Sequence, residues 1–113
     1  MTLGEKQRQF AKLVGQLIGR AYEMGYEVSL GDAYRDPRVH GEVGEKRSYS
    51  HASSAHKVRL AIDLNLFKDG RFLTETDDHR PLGEWWEQQH ELARWGGRFR
   101  DGNHYSFEHN GVK

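Results

Sequence analysis

The stretch Ser54-Ala55-His56-Lys57-Val58-Arg59-Leu60-Ala61-Ile62-Asp63-Leu64 sets a histidine and an aspartate on either side of a short apolar alternation. His56 and Asp63 cannot serve one ion from a single helix, because their separation in sequence amounts to about 10 Å of helical rise. On one continuous strand they would stand farther apart still, at roughly 3.3 Å per residue, and would point to opposite faces because their separation is odd. The chain must bend between them. From Leu60 onward, Leu60, Ile62, Leu64 and Leu66 alternate with Ala61, Asp63, Asn65 and Phe67, which is the period of a strand with one apolar face. A central strand is therefore predicted over residues 59 to 67. Asp63 lies on its polar face beside the small Ala61, and His56 lies on the incoming loop, folded back through Lys57 and Val58.

On the C-terminal side, Asp69-Gly70 supplies the positive φ angles of a hairpin turn, and Phe72-Leu73-Thr74 returns antiparallel over 71 to 74. Thr76 to Arg80 is a polar connection, and Pro81 suits the first turn of a helix. Leu82, Trp85, Trp86, Gln89, Leu92 and Ala93 predict that helix over 82 to 94, with Trp95-Gly96-Gly97 ending it. The tryptophans suit core anchors. A last strand is expected over 104 to 109, with Glu108 and His109 at its exposed end.

On the N-terminal side, Thr2-Leu3-Gly4-Glu5 is a capping box. Phe10, Leu13, Val14, Leu17, Ile18, Ala21 and Met24 recur at helical spacing before Gly25, which predicts a core-packing helix over 3 to 24. Tyr26, Val28 and Leu30 begin a strand over 26 to 35 that runs into Tyr34-Arg35 and the Asp36-Pro37 break. Residues 38 to 55 form a long glycine- and serine-rich loop holding His40 and His51. The fold class is α+β, a small antiparallel sheet with two helices packed on it.

Composition bounds the function. At 113 residues the chain is one domain, 1 to 113, with room for a single modest core. Seventeen basic residues balance seventeen acidic ones, so no electrostatic footprint for nucleic acid or an anionic membrane is present. No stretch is long and apolar enough to span a bilayer, and the N-terminus lacks a secretory signature. With no cysteine, a metal site must be built from histidine and carboxylate.

Asp101-Gly102-Asn103-His104 provides a second polar cluster near the end of the chain. With His56 and Asp63 it supplies two imidazoles and a carboxylate that could close on one zinc ion, leaving Asp101 to handle protons. Each residue alone is an ordinary polar residue of a solvated face. His51 ranks below His56 because no carboxylate follows it at workable spacing, and His40 reads as solvated. Arg35, where a strand gives way to a loop, could present its guanidinium to a carboxylate or an oxyanion, or simply pair with Asp36 or Asp32.

Set side by side, these motifs resemble the M15 family of zinc peptidases. That family holds D-alanyl-D-alanine carboxypeptidases and dipeptidases together with the L-alanyl-D-glutamate endopeptidases of phage endolysins. Its pattern, Ser-x-His-x-x-Gly-x-Ala-x-Asp followed by Asp/Glu-x-x-His-aromatic, is matched by Ser54 to Asp63 and by Asp101 to Tyr105. Trp95-Gly96-Gly97-Arg98-Phe99 is similar to the segment before the last motif in phage members. The resemblance covers roughly residues 26 to 109. Arg59 departs from it, standing where the pattern has glycine, and would strain the turn if that position needs a positive φ.

The resemblance implies a hedgehog/D-Ala-D-Ala-peptidase-like arrangement, with zinc ligated by His56, Asp63 and His104 and a water in the open position. It further implies Asp101 as the proton carrier, Arg35 as the group that steadies substrate, and Ser54 as a supporting hydrogen-bonding residue. The function it implies is cleavage of the peptidoglycan stem peptide between L-alanine and D-glutamate during phage lysis. A monomer would then collect in the host cytoplasm until a membrane lesion releases it to the periplasm and wall. The alternatives are a D-Ala-D-Ala carboxypeptidase with the same metal chemistry and a non-catalytic, zinc-stabilised wall-binding or virion-associated module.

Overall fold

The computed structural model describes residues 1–31 and 55–113, and it is an α+β fold of two helices and a five-stranded antiparallel sheet. Arg35, Ser54, His40, His51 and nearly all of the loop expected over 38 to 55 lie outside the described residues.

Helix α1 (Leu3–Glu23) starts at the expected capping box. The Glu5 amide donates to Thr2 Oγ1 at 3.1 Å, and the Thr2 amide donates to Glu5 Oε1 at 2.8 Å. Its apolar period buries Phe10, Leu13, Leu17 and Ala21. It ends where Gly25 takes a φ of 92°. Strands β1 (Glu27–Leu30), β2 (Ala61–Lys68), β3 (Arg71–Leu73), β4 (Ala93–Trp95) and β5 (His104–Phe107) follow, with α2 (Arg80–Glu87) between β3 and β4.

β2 is the axis of the sheet. One edge pairs with β1, from Leu30↔Leu64 to Glu27↔Phe67. The other edge is shared: β5 takes Ala61 to Asp63, and β3 takes Leu66 to Lys68. β4 closes the far side through Ala93↔Phe107 and Trp95↔Tyr105. The place where β2 passes from one partner to the other is a fork in the sheet, and Asn65 sits in it.

Strand alternation sends Ile62, Leu64, Leu66, Tyr105 and Phe107 into the core. Both helices cover that face. Phe10 of α1 meets Trp86 of α2 at 5.8 Å and Phe107 of β5 at 5.4 Å between ring centroids, both edge-on. The opposite face of β2 carries Asp63, and the register places His104 directly across from it.

The second helix is shorter than its apolar spacing suggests. It stops at Glu87 rather than near residue 94, and Ala93–Trp95 is a strand. Leu92 and Ala93 fit a helical period on paper, but a strand here lets Ala93 and Trp95 both turn inward against β5 while Arg94 turns out. The His90 ring accepts the Leu92 amide at 3.0 Å and bends the chain between the two elements. The last strand ends at Phe107. Glu108 and His109 are half-buried rather than exposed, because Glu108 pairs with Arg94 at 2.7 Å and His109 meets Lys6 Nζ at 3.0 Å.

Candidate metal centre and adjoining groove

His56 stands on a one-turn 3-10 helix, Ala55–Val58, that leads into β2. The turn closes with the Leu60 amide on the Ala55 carbonyl at 3.0 Å and the Arg59 amide on the His56 carbonyl at 3.1 Å. That pair of bonds is a Schellman C-cap, in which the residue after the cap takes the left-handed conformation that glycine favours. Here that residue is Arg59, with φ 57°. The reversal folds the His56 ring back over β2, so that a histidine and an aspartate at odd separation meet on one face.

Asp63 and His104 face each other across the β2–β5 ladder, and three contacts follow. Asp63 Oδ1 lies 3.4 Å from His56 Nε2 and 3.4 Å from His104 Nδ1. The three donor atoms lie within 4.8 Å of one another. The two imidazoles meet edge-on at 5.0 Å, and both histidines are buried.

A second Schellman cap delivers the distal motif. A 3-10 turn, Gly96–Phe99, ends with the Asp101 amide on the Gly96 carbonyl at 2.8 Å and the Arg100 amide on the Gly97 carbonyl at 3.3 Å. Arg100 takes φ 64°. Trp95 Nε1 then donates to the Gly102 carbonyl at 2.7 Å, and the His104 amide to the Asp101 carbonyl at 3.0 Å. Nothing larger than glycine fits in two places on this path. A Cβ at Gly96 would stand 2.3 Å from the Asp101 carbonyl oxygen, and one at Gly102 would stand 2.6 Å from Thr76 Cα. The Asp101 carboxylate is thereby held with Oδ2 3.9 Å from His104 Nδ1, half-exposed beside the cluster.

The donor set fits a metal ion. Ligands on bonds of about 2.1 Å in a tetrahedron are separated by about 3.4 Å, the spacing of both Asp63 contacts. Asp63 Oδ1 is buried and, among the described residues, meets the two imidazole nitrogens at 3.4 Å without a well-formed hydrogen bond, an arrangement that an ion between the three groups would complete. On His104 the Nε2 proton is fixed by the Lys113 carbonyl at 3.0 Å, because a carbonyl only accepts. Nδ1 is then left to ligate, the usual arrangement of a metal-binding histidine with a carbonyl behind it. Burial alone would raise the Asp63 carboxyl, but His104 and His56 beside it hold it down to about 2. Burial opposes charge on His104 too, yet Asp63 and the Lys113 carbonyl raise its pKa. His56, Asp63 and His104 together could therefore hold a metal ion.

Next to this cluster, the fork between β5 and β3 opens a groove of about 300 Å³. Asn65, Phe72, Thr76, His79, Arg100 and Asp101 line it. The sequence reading passed over three of these. Asn65 is two residues beyond Asp63 on the same face of β2. His79, expected to be part of a polar connection, is buried and bonds Tyr105 Oη at 2.7 Å. The signal for it was Tyr105 itself, since a buried tyrosine hydroxyl calls for a partner. No sequence signal marked Arg100.

A comparison with protein-family models and with curated proteins finds no match. The resemblance to zinc peptidases rests on the motif residues themselves.

Proposed function

We propose that the chain is a zinc peptidase of the murein stem peptide, cutting between L-alanine and D-glutamate in the manner of a phage lysis enzyme. The observation that carries this reading is the pair of 3.4 Å contacts centred on Asp63 Oδ1, with Asp101 beside them. Two histidines and one carboxylate leave a fourth position open, which is the donor count of hydrolytic rather than structural zinc sites. Zinc held there would bring the pKa of a water towards 7 and polarise a scissile carbonyl.

The chain's own residues supply the rest. Asp101 Oδ2 accepts the proton of the attacking water and returns it to the leaving amine, a task that suits a carboxylate reaching the cluster from the solvent side. Its half-exposed position at the groove suits that traffic. Asp63 and His104 hold the negative charge and the tautomer that keep the ligand set together. Arg35 and Ser54, to which the resemblance gives supporting roles, lie outside the described residues.

The test is release of new amino termini from purified murein. Untreated protein should expose N-terminal D-glutamate, lose the activity to a chelator and regain it with zinc. Asp101→Ala should keep its zinc while turnover falls by about a hundredfold or more. Release of free D-alanine instead would make the protein a carboxypeptidase. Zinc binding with no cleavage of any bond would sink the enzymatic reading and leave a zinc-stabilised module.

A further inference from the structure

Among the described residues, three chain reversals share one hydrogen-bond pattern. At the end of α1 the Tyr26 amide bonds the Ala21 carbonyl and the Gly25 amide bonds the Tyr22 carbonyl, with Gly25 in the left-handed position. The reversals after His56 and before Asp101 repeat that pattern with Arg59 and Arg100 in glycine's place. A large side chain kept where glycine is easier points to a task for the side chain.

For Arg100 the surroundings say which task. It directly precedes Asp101 and lines the groove beside the metal ligands. Arg80, Arg94 and Arg98 each spend the guanidinium on a carboxylate of the chain, at 2.9, 2.7 and 2.7 Å. Arg100 forms no ion pair among the described residues, and it is exposed. A planar guanidinium at the rim of a groove matches a carboxylate in two-point contact.

We propose that Arg100 holds the free α-carboxylate of the residue released by cleavage, and so sets substrate preference. The proposal rests on the peptidase reading above and adds a recognition element to it. In the stem peptide D-glutamate is joined onward through its side-chain carboxyl. Its α-carboxylate stays free, on the carbon that bears the scissile nitrogen. Adjacent residues of the protein then meet adjacent groups of the substrate, Asp101 the leaving nitrogen and Arg100 the carboxylate one carbon away.

The experiment uses two synthetic peptides, L-Ala-γ-D-Glu-L-Lys and its D-isoglutamine counterpart, in which that carboxylate is an amide. Zinc-loaded protein should prefer the acid by about tenfold or more in kcat/KM, mainly through KM. Arg100→Gln should bring the preference close to unity, whereas Arg20→Gln, on α1, should keep it. Arg100→Gly should lose the preference while its Tm rises, since the left-handed strain is relieved. A preference that survives Arg100→Gln, an equal loss on both peptides, or a lower Tm for Arg100→Gly overturns the proposal. If neither peptide is cut the peptidase reading falls, and calorimetric binding decides separately. Acid-selective binding that Arg100→Gln abolishes keeps the assignment, and binding without that selectivity, or none, ends it.

Discussion

Arg59 lies between two metal-ligand candidates in a backbone state that costs an L-residue about 1–2 kcal/mol. The resemblance marked an arginine where its pattern has glycine, and the structure gives residue 59 the left-handed position of a Schellman cap. Arg59→Gly should therefore be more stable than Arg59→Val by about 1–2 kcal/mol in urea unfolding, because both variants lose the arginine and only valine resists the positive φ. Equal stabilities would mean that the turn does not need that conformation. His79 carries a different signature. Burial pushes its pKa down to about 4 from 6.5, so the folded chain favours the neutral ring. Its contribution is fully present above about pH 6.5 and is lost as pH falls towards about 4, on the order of 3 kcal/mol in all. Urea titrations of metal-free protein should show that slope, and His79→Gln should flatten it. An unchanged slope would place the acid sensitivity elsewhere.

At the scale of elements, the candidate metal cluster is tied to a small hairpin after β5. His109 and Val112 exchange main-chain bonds at 2.9 Å around Asn110 and Gly111, whose φ values of 52° and 81° are those of a type I′ turn. That turn brings the Lys113 carbonyl to His104 Nε2. Gly111→Val should disturb the carbonyl and weaken zinc binding by about 10- to 100-fold, read by competition with a chromophoric chelator. Affinity equal to wild type would detach the turn from the site. The Asn110-Gly111 pair is a local signal visible in sequence, but its target lies across space and is not. The shortened α2 teaches the converse. Apolar residues from Leu82 to Trp95 satisfy both a helix and a helix followed by a strand, and pairing with Tyr105 and Phe107 chose the second.

For the whole molecule, a metal that binds only the folded chain adds its binding energy to stability, about 2.7 kcal/mol at a hundredfold excess over Kd. Zinc should raise the Tm of metal-free protein, and His104→Ala should abolish the rise. A rise that persists in the variant would put the ion elsewhere. Because Asp63 and the Lys113 carbonyl lift the His104 pKa above 6.5, protons compete for Nδ1 as pH falls, so zinc affinity should drop on acidification and binding should release protons. In the metal-free chain the same raised pKa contributes stability that is complete below pH 6.5 and lost as pH rises through the folded value. By itself the sequence determined the α+β class, the central strand with Asp63 on its polar face, the long first helix, and the donors available without cysteine. These follow from residue types and their period along the chain. The three-way meeting at Asp63 Oδ1, the fork that opens the groove, the carbonyl behind His104 and the place of Arg100 were decided only by tertiary structure. Each joins residues distant in sequence through strand register and reversal geometry, to which local period is blind.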